Sequence, residues 1–270
     1  MKKDLFDLTG QVGVVIGATG VLGGAMSQAL AGAGASVAVL GRNTERGQAR
    51  VRAIRENGGT ADFFLADASD RNSLKAAKEK IIDQWGAPTI LVNAAGGNDP
   101  KVTVTKDLPF EQIPAEDWRA SFDLNLTAGA FLPCQEFGAA MQAAGHGSII
   151  NIASIAAHVP LSRVVAYAAA KAALVNMTQF LAREWAPYGV RVNSVTPGFF
   201  PGEQNRRLLF NENGTPTERG QAIMNHTPMK RFGEPDELAG AVIFLASSAA
   251  SGFVTGIDLR VDGGFLAQTL

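Results

Sequence analysis

The sequence VGVVIGATGVLGGA, residues 12 to 25, joins a short apolar run to a glycine-rich turn and then to an apolar segment. Val and Ile at 12 to 16 predict a buried strand, and the residues after the turn predict a helix. Glycines allow a tight turn and a close approach of the backbone to phosphate, and here they are Gly17, Gly20, Gly23 and Gly24. Because the start of a helix attracts anions, the stretch predicts a pyrophosphate-binding unit.

Six further apolar runs of strand length alternate with helical patterns, at 36–40, 62–66, 89–93, 147–153, 190–195 and 257–261. They are continuous rather than alternating, which is typical of strands covered by helices on both faces. The connections are long enough to hold a helix each, so we expect right-handed βαβ units. The sequence predicts a single α/β domain over 1–270, a Rossmann-type doubly wound sheet of seven mainly parallel strands with helices on both faces.

Several helix ends are marked by residues that suit caps or first turns. Asn43 and Ser73 are expected to cap helix starts, Pro235 suits a first turn, and Pro187 is expected to end a helix. The stretch at about 199–232 has no clear pattern and follows the sixth strand. Ligands bind outside the carboxyl ends of strands in such sheets, so this stretch is expected to form a substrate-binding lobe.

Composition narrows the class of partner. The chain has 270 residues with 24 basic and 25 acidic side chains and a net charge of -1, which argues against a nucleic-acid surface or a polybasic membrane patch. The single Cys134 excludes an internal disulfide and a cysteine-rich metal site. No apolar run is long enough to span a bilayer, and MKKDLFDLTG lacks the apolar core of a leader. We expect a cytoplasmic protein with a small-molecule partner and no metal.

Tyr167 and Lys171 are four residues apart in an alanine-rich helical pattern. Residues at this spacing share one face of a helix, so a phenol and an ammonium are expected to lie together. An exposed tyrosine beside a solvated lysine is the alternative when the pair is taken alone.

The residues at the end of the second strand indicate whether the cofactor is NAD(H) or NADP(H). An acidic residue there accepts from the ribose of NAD, but this sequence has Gly41 and then Arg42. A guanidinium in place of the acid favours NADP(H), and NAD(H) stays open because Arg42 also suits a solvated helix start. Asp67 follows the third strand and is expected either to accept from the adenine amino group or to form a plain turn.

The motifs and their order resemble the short-chain dehydrogenase/reductase family over essentially the whole chain. The glycine-rich turn follows strand one, NAAG at 93 to 96 follows strand four, and Asn125 lies in the next helix. Ser154 ends strand five, and Tyr167 and Lys171 come after it. Pro197-Gly198 follows strand six. The resemblance implies cofactor contacts at Gly17, Thr19, Gly20, Val21, Leu22, Arg42, Asp67, Ala68, Asn93, Ala94, Ala95, Gly96, Tyr167, Lys171, Pro197 and Gly198.

The resemblance also implies a catalytic set of Asn125, Ser154, Tyr167 and Lys171. Tyr167 acts as general acid in reduction and general base in oxidation, and Ser154 binds the substrate oxygen. Lys171 holds the nicotinamide ribose, and Asn125 helps to place a water. Bringing the pKa of a phenol from about 10 to about 7 requires roughly 4 kcal/mol of phenolate stabilisation, and Lys171 is expected to supply positive charge.

Three positions depart from the family pattern. Ile16 stands where the family has a threonine, and Val21 places a side chain where the family has a glycine near phosphate. After Pro197-Gly198 the family threonine that contacts the nicotinamide is missing. We therefore expect altered geometry at the phosphate and a different contact at the nicotinamide.

The variable stretches are polar. We expect substrate contacts from Asn98, Lys101, Ser154, His158, Gln204, Asn205, Arg206 and Arg207. Amides and guanidinium groups suit a polyhydroxylated acid, whose carboxylate an arginine can bind through two hydrogen bonds, whereas a steroid or acyl chain needs an apolar lining. Each side chain alone could also be solvated, and His158 could pack beside Pro160.

Within the family these stretches resemble the D-mannonate oxidoreductases of the short-chain type, also called fructuronate reductases. The resemblance implies interconversion of D-fructuronate and D-mannonate by a homotetramer, or a dimer. The alternatives are a reductase of another carbonyl, such as a gluconate-type polyol or a 3-oxoacyl thioester, and a cofactor-binding protein without turnover.

Overall fold

A computed structural model of the protein describes residues 4–202 and 205–269. It contains one seven-stranded sheet in the order β3-β2-β1-β4-β5-β6-β7. All six strand pairs are parallel. The strands are β1 (Val12–Ile16), β2 (Ser36–Gly41), β3 (Thr60–Leu65), β4 (Ile90–Asn93), β5 (Gly147–Ile152), β6 (Val190–Pro197) and β7 (Asp258–Val261). The predicted Rossmann-type α/β fold is confirmed.

The helices follow the strands on both faces. They are α1 (Val21–Gly32), α2 (Thr44–Glu56), α3 (Arg71–Trp85), α4 (Ala115–Phe122), α5 (Ala139–Ala144), α6 (Val165–Trp185), α7 (Arg206–Leu209), α8 (Glu218–His226), α9 (Ala239–Ala246) and α10 (Ser248–Ser251). Two π-helical segments, Asp123–Phe131 and Cys134–Gly138, connect α4 to α5. The predicted lobe at 199–232 thus contains α7 and α8.

Helix caps agree with the sequence at one of the two predicted positions. The side chain of Asn43 accepts a 2.9 Å hydrogen bond from the Arg46 N–H and caps α2, as predicted. Ser73 was predicted to cap a helix, and this is wrong, because Asp70 caps α3 by accepting from the Asn72 N–H. Ser73 lies within the first turn and accepts from the Asp67 N–H at 3.0 Å. Its hydroxyl therefore fixes the turn after β3.

Two apolar cores flank the sheet, because successive strand residues point to opposite faces. One core joins α1, α2 and α9 to strand residues such as Val15 and Val39. The other joins α3, α5 and α6 to strand residues such as Val14 and Leu91. With both faces covered, ligands can reach the sheet at the carboxyl edge, where the chain leaves β1 and β4 in opposite directions.

In the described part of the chain, no helix has the length and apolar character needed to cross a membrane. The division of the chain into domains stays a prediction. Gln204, which the sequence predicts to contact substrate, lies outside the described residues.

Candidate active site

The start of α1 is arranged for an anion. Gly20 caps the helix without a side-chain hydrogen bond, and the first turn has no acidic residue, so backbone N–H groups there stay available. Gly17 has φ 79° and packs so tightly that an added Cβ would lie 2.7 Å from the Ala95 nitrogen. Only glycine fits there, and this close packing brings the turn after β1 against the segment after β4.

Val21 is the first residue of α1 and is 36% exposed. Its side chain lies near the predicted lobe, since a Cβ built on Gly202 would be 3.5 Å from Val21 Cγ2. Val21 thus contributes helix backbone to the anion-binding turn and an apolar contact to the lobe.

Arg42 and Asp67 meet at the ends of β2 and β3. Arg42 Nη1 is 4.0 Å from Asp67 Oδ2, and both side chains are exposed. Asp67 Oδ1 accepts from the Ser69 hydroxyl and N–H, and these hydrogen bonds hold the pKa of Asp67 below its ordinary value. The pair places one cation and one anion at the edge where a nucleotide ribose and adenine would lie.

Asn93 is completely buried at the end of β4. Its Nδ2 donates a 2.8 Å hydrogen bond to Asn151 Oδ1, and Asn151 Nδ2 donates at 2.9 Å to Thr178 Oγ1. This series of hydrogen bonds ties β4 to β5 and to α6. The Nδ2 group of Asn93 therefore helps to hold the sheet together, whereas its buried Oδ1 has no described hydrogen-bond partner.

Ser154 lies two residues after the end of β5 and caps the short 3-10 helix Ile155–Ala157, accepting from the Ala156 N–H at 3.1 Å. Its oxygen accepts one hydrogen bond, so the hydroxyl hydrogen can be donated elsewhere. Tyr167 lies in the first turn of α6 and its hydroxyl forms a hydrogen bond with Ser154. The two predicted hydroxyl groups are thus adjacent.

Lys171 is one turn beyond Tyr167 and is 4% exposed. Its ammonium donates a 2.7 Å hydrogen bond to the Ile152 carbonyl oxygen. Burial lowers the pKa of Lys171 to about 8. Since an ammonium has three donors and one described acceptor here, the remaining N–H groups suit hydroxyl groups of a ribose.

Tyr167 differs from the sequence expectation in its electrostatics. Burial raises the pKa of its phenol above the ordinary value, and the hydrogen bond with Ser154 only partly opposes this shift. The Lys171 ammonium lies 5.8 Å from the centre of the ring. In the protein without cofactor the pKa of Tyr167 is thus shifted upward, whereas the sequence led us to expect stabilisation of its phenolate by Lys171.

Asn125 is buried in the π-helical segment that follows α4. Its Oδ1 accepts from the Gly97 N–H at 2.8 Å, and its Nδ2 donates to the carbonyl oxygens of Gly97 and Ser121 at 3.0 and 2.9 Å. Both amide hydrogens are used, so the side chain clamps the loop after β4. Its predicted effect on a water would act through the position of this loop or through the backbone.

Four of the predicted substrate residues divide into two groups. Asn98 donates to Thr103 at 2.7 Å, and Asn205 accepts from the Gly202 N–H at 2.7 Å and donates to the Phe200 carbonyl at 3.0 Å. These amides hold their own loops. Lys101 and Arg206 are exposed cations: Lys101 is 3.8 Å from Asp117, and the Arg206 guanidinium lies 5.3 Å from the centre of the Phe210 ring.

His158 lies one residue beyond the helix that Ser154 caps, and it does not pack simply beside Pro160. Its Nε2 is 3.0 Å from Asp258 Oδ2 and 3.4 Å from Thr196 Oγ1. Asp258 Oδ1 accepts from the hydroxyl groups of Ser194 and Thr196 at 2.6 and 2.7 Å. Sequence reasoning missed Asp258, because a lone acid in an apolar run gives no sign of its partners.

A cavity of about 360 Å³ lies between the turn at Gly198 and the segment after β7. Phe200, Met229 and Phe232 line it together with Arg231 and Arg260. None of the predicted catalytic side chains lines it, so it is separate from the hydroxyl and ammonium cluster.

The described residues fit a nicotinamide dinucleotide at this edge of the sheet. The uncapped start of α1 suits the pyrophosphate. The buried ammonium of Lys171 has N–H groups left for ribose hydroxyl groups. Arg42 and Asp67 lie where the adenosine end would bind. Within residues 4–202 and 205–269 no group of three His, Cys, Asp or Glu side chains could hold a metal ion.

Residues 17–266 match the family model described as enoyl-(acyl carrier protein) reductase. An uncharacterised oxidoreductase of Bacillus subtilis, UxuB, is 44% identical over 271 residues, with 97% of each chain covered. The chain belongs to the short-chain dehydrogenase/reductase family. It is an NAD(P)-dependent oxidoreductase that acts on alcohol and ketone groups.

Two solved structures of other short-chain dehydrogenases/reductases superpose closely. A Haemophilus influenzae protein proposed to be a D-mannonate oxidoreductase, with bound NAD, has a TM-score of 0.91 and 36% identity, covering 97% of both chains. A gluconate 5-dehydrogenase from Burkholderia cenocepacia, with NADP and tartrate, has a TM-score of 0.88 and 34% identity, covering 98% of this chain and 99% of that one.

Proposed function

We propose that this short-chain dehydrogenase/reductase interconverts a ketone and a secondary alcohol on a sugar acid, with D-fructuronate and D-mannonate as the substrate pair. The observation that carries this proposal is the cluster of Ser154, Tyr167 and Lys171 at the carboxyl end of β5 and the start of α6. The variable stretches after β4 and β6 add exposed cations. The two solved relatives act on, or are proposed to act on, sugar acids, which supports this substrate class.

Tyr167 is the proton donor in the reducing direction. A phenol is ordinarily protonated at neutral pH, and burial raises the pKa of Tyr167 further, so it can give a proton to the carbonyl oxygen as that atom gains negative charge. In the substrate complex the Ser154 hydroxyl exchanges the Tyr167 oxygen for the carbonyl oxygen as its acceptor and donates its hydrogen to it. In the oxidising direction Tyr167 accepts the proton of the alcohol, a step that needs its phenolate stabilised.

Lys171 lowers the cost of that phenolate and orients the ribose. Its ammonium lies beside the Tyr167 ring and is fixed by the Ile152 carbonyl oxygen. When bound, the nicotinamide supplies or accepts hydride. Asn125 acts as a positioning residue, because it holds the loop at Gly97 against the π-helical segment.

NADP(H) is the favoured cofactor and NAD(H) the alternative. The proposed contacts run along the turn after β1 (Gly17, Thr19, Gly20, Val21, Leu22), the ends of β2 and β3 (Arg42, Asp67, Ala68), the segment after β4 (Asn93, Ala94, Ala95, Gly96) and Pro197-Gly198. Arg42 is the exposed cation at the adenosine end and supports binding of a 2'-phosphate. One relative was solved with NAD and another with NADP, so relatives support both.

The substrate is proposed to lie between the loop after β4 and the lobe at 199–232. Lys101, Arg206 and Arg207 are the predicted residues there that carry positive charge, and they suit an anionic substrate. His158 keeps Nδ1 available while Nε2 is directed to Asp258.

We also propose a homotetramer or dimer. Leu124 and Phe131 lie seven residues apart in one helical segment and are exposed, as is Phe180 on α6. Burying such a surface between copies would remove apolar area from water. Light scattering of the purified protein tests this assembly.

The substrate panel is the experiment that tests the proposed function. Purified protein with NADPH or NADH is offered fructuronate and other keto sugar acids, neutral ketoses, and a 3-oxoacyl thioester, and absorbance at about 340 nm is followed. Oxidation of NADPH or NADH that occurs only with keto sugar acids supports the proposal. Faster reaction with the neutral or thioester substrates contradicts the substrate class and leaves the family assignment in place.

A further inference from the structure

Arg163 has an unusual backbone conformation. Its φ is 77°, and among the described residues other than glycine only Lys230 shares a positive φ. This left-handed region favours glycine, because a Cβ crowds the backbone there. An arginine held in this conformation at the edge of a site points to a function for its side chain.

The loop at 159–164 places Arg163 where three parts of the site meet. The Arg163 carbonyl oxygen accepts from the Val104 N–H at 2.9 Å, and Nε donates to the Val104 carbonyl oxygen at 3.2 Å. Val104 belongs to the stretch after β4. On the other side, Arg219 of α8 donates to Ser162 at 3.4 Å. Tyr167 follows Arg163 by four residues and lies in the first turn of α6.

The terminal nitrogens of Arg163 are free to bind an anion. Nε is used by Val104, and no described carboxylate pairs with either Arg163 or Arg219. Lys101, by contrast, has Asp117 as a partner, and Arg206 lies over Phe210. An exposed guanidinium from the loop at 159–164 and a partly buried one from α8, both without a described carboxylate partner, thus lie at the neighbouring residues Arg163 and Ser162.

We infer that Arg163 binds the carboxylate of the sugar-acid substrate through its two terminal nitrogens, with Arg219 adding positive charge. This inference rests on the proposed function and names a residue that determines its specificity. Planar Nη1 and Nη2 groups match the two oxygens of a carboxylate. The hydrogen bond from Nε to Val104 fixes the plane of the guanidinium before substrate arrives.

The test is Arg163→Gly, because glycine suits the left-handed backbone and removes only the side chain. We expect a melting temperature equal to or above that of the wild type. The KM for a keto sugar acid should rise about 10- to 100-fold, which is the effect of losing a charge-assisted pair of hydrogen bonds. The KM for a neutral ketose and kcat should stay within about threefold. Arg163→Lys keeps the charge without the planar fork and should recover only part of the loss.

Arg183→Ala is the matched control, because Arg183 is an exposed arginine near the end of α6. It should leave both KM values unchanged. An unchanged KM for the sugar acid in Arg163→Gly, or an equal rise for acid and neutral substrates, would overturn the inference while the function stands. A wild-type enzyme without preference for acids would overturn the proposed function itself, and this is seen before any substitution.

Discussion

The ammonium of Lys171 lies 5.8 Å from the centre of the Tyr167 ring and is hydrogen bonded to the Ile152 carbonyl oxygen at 2.7 Å. The end of β5 therefore fixes the cation at one side of the phenol. Burial shifts the pKa of the two groups so that the phenol keeps its proton more strongly and the ammonium less strongly. A bound cofactor that supplies acceptors for the ammonium would favour its charged form.

Lys171 should make the stability of the cofactor-free protein depend on pH. Its pKa is lowered from 10.5 to about 8 in the folded protein, so between these values the unfolded chain binds more protons. The free energy of unfolding should then rise with pH, by on the order of 2 kcal/mol from about pH 8 to pH 9.5. Urea unfolding of wild type and Lys171→Met measures this rise, which the substitution should remove.

Lys75→Met is the control for this measurement, since Lys75 is exposed on α3. It should keep the wild-type dependence on pH. A wild-type protein whose stability is flat or falls between about pH 8 and 9.5, or a Lys171→Met protein with the same rise, would contradict the lowered pKa.

Arg42 should set the preference for the phosphorylated nucleotide. Arg42→Ala removes the exposed guanidinium beside Asp67, so the KM for NADPH should rise about 10-fold while the KM for NADH changes little. Arg52→Ala is the control, because Arg52 is an exposed arginine on α2, the helix that follows Arg42. Equal changes for the two nucleotides would remove Arg42 from recognition of the 2'-phosphate.

Glu136 should stabilise the fold through two cations of α3. It is 6% exposed and binds Arg71 at 2.6 Å and Lys78 at 2.9 Å. Burial alone would raise the pKa of Glu136, but the hydrogen bonds from Arg71 and Lys78 outweigh it and lower the pKa. Glu136→Gln should reduce the free energy of unfolding at neutral pH by about 1–3 kcal/mol, because it leaves Lys78 without its charge partner.

The lowered pKa of Glu136 also predicts how the loss of stability in Glu136→Gln varies with pH. A carboxyl with a lowered pKa stabilises the folded state above its ordinary pKa and loses that contribution as pH falls through the folded pKa. The difference between wild type and Glu136→Gln should therefore shrink in acid, as urea unfolding at several pH values would show. Glu79→Gln, an exposed substitution on α3, should have little effect at any pH. A constant difference down to about pH 3 would rule out the ion pairs as its cause.

Much of the fold could be predicted from the sequence because its signals are local. The run at 12–16 matches β1, and the start of β7 differs from the predicted run by one residue. The predicted and observed strand ends differ more where no side chain marks the boundary. For example, β3 begins at Thr60, whereas the predicted run begins at Asp62. The spacing of Tyr167 and Lys171 likewise predicted their common helix face, which α6 confirms.

The remaining features depend on contacts between distant parts of the chain. The direction of the Tyr167 pKa shift follows from depth of burial, which no local pattern gives. The pairing of His158 with Asp258 joins residues one hundred positions apart. The positive φ of Arg163 is fixed by its hydrogen bonds with Val104 and has no sign in the sequence, where glycine or asparagine usually marks such a position.

The most direct test of the central claim is a single-turnover measurement of hydride transfer in Tyr167→Phe with NADPH and fructuronate, followed at about 340 nm. Tyr188→Phe, which changes the exposed second tyrosine of the chain, is the matched control. We expect Tyr167→Phe to bind NADPH with wild-type affinity and to transfer hydride about 10²- to 10⁴-fold more slowly, while Tyr188→Phe is unchanged. Hydride transfer at the wild-type rate in Tyr167→Phe would contradict the account.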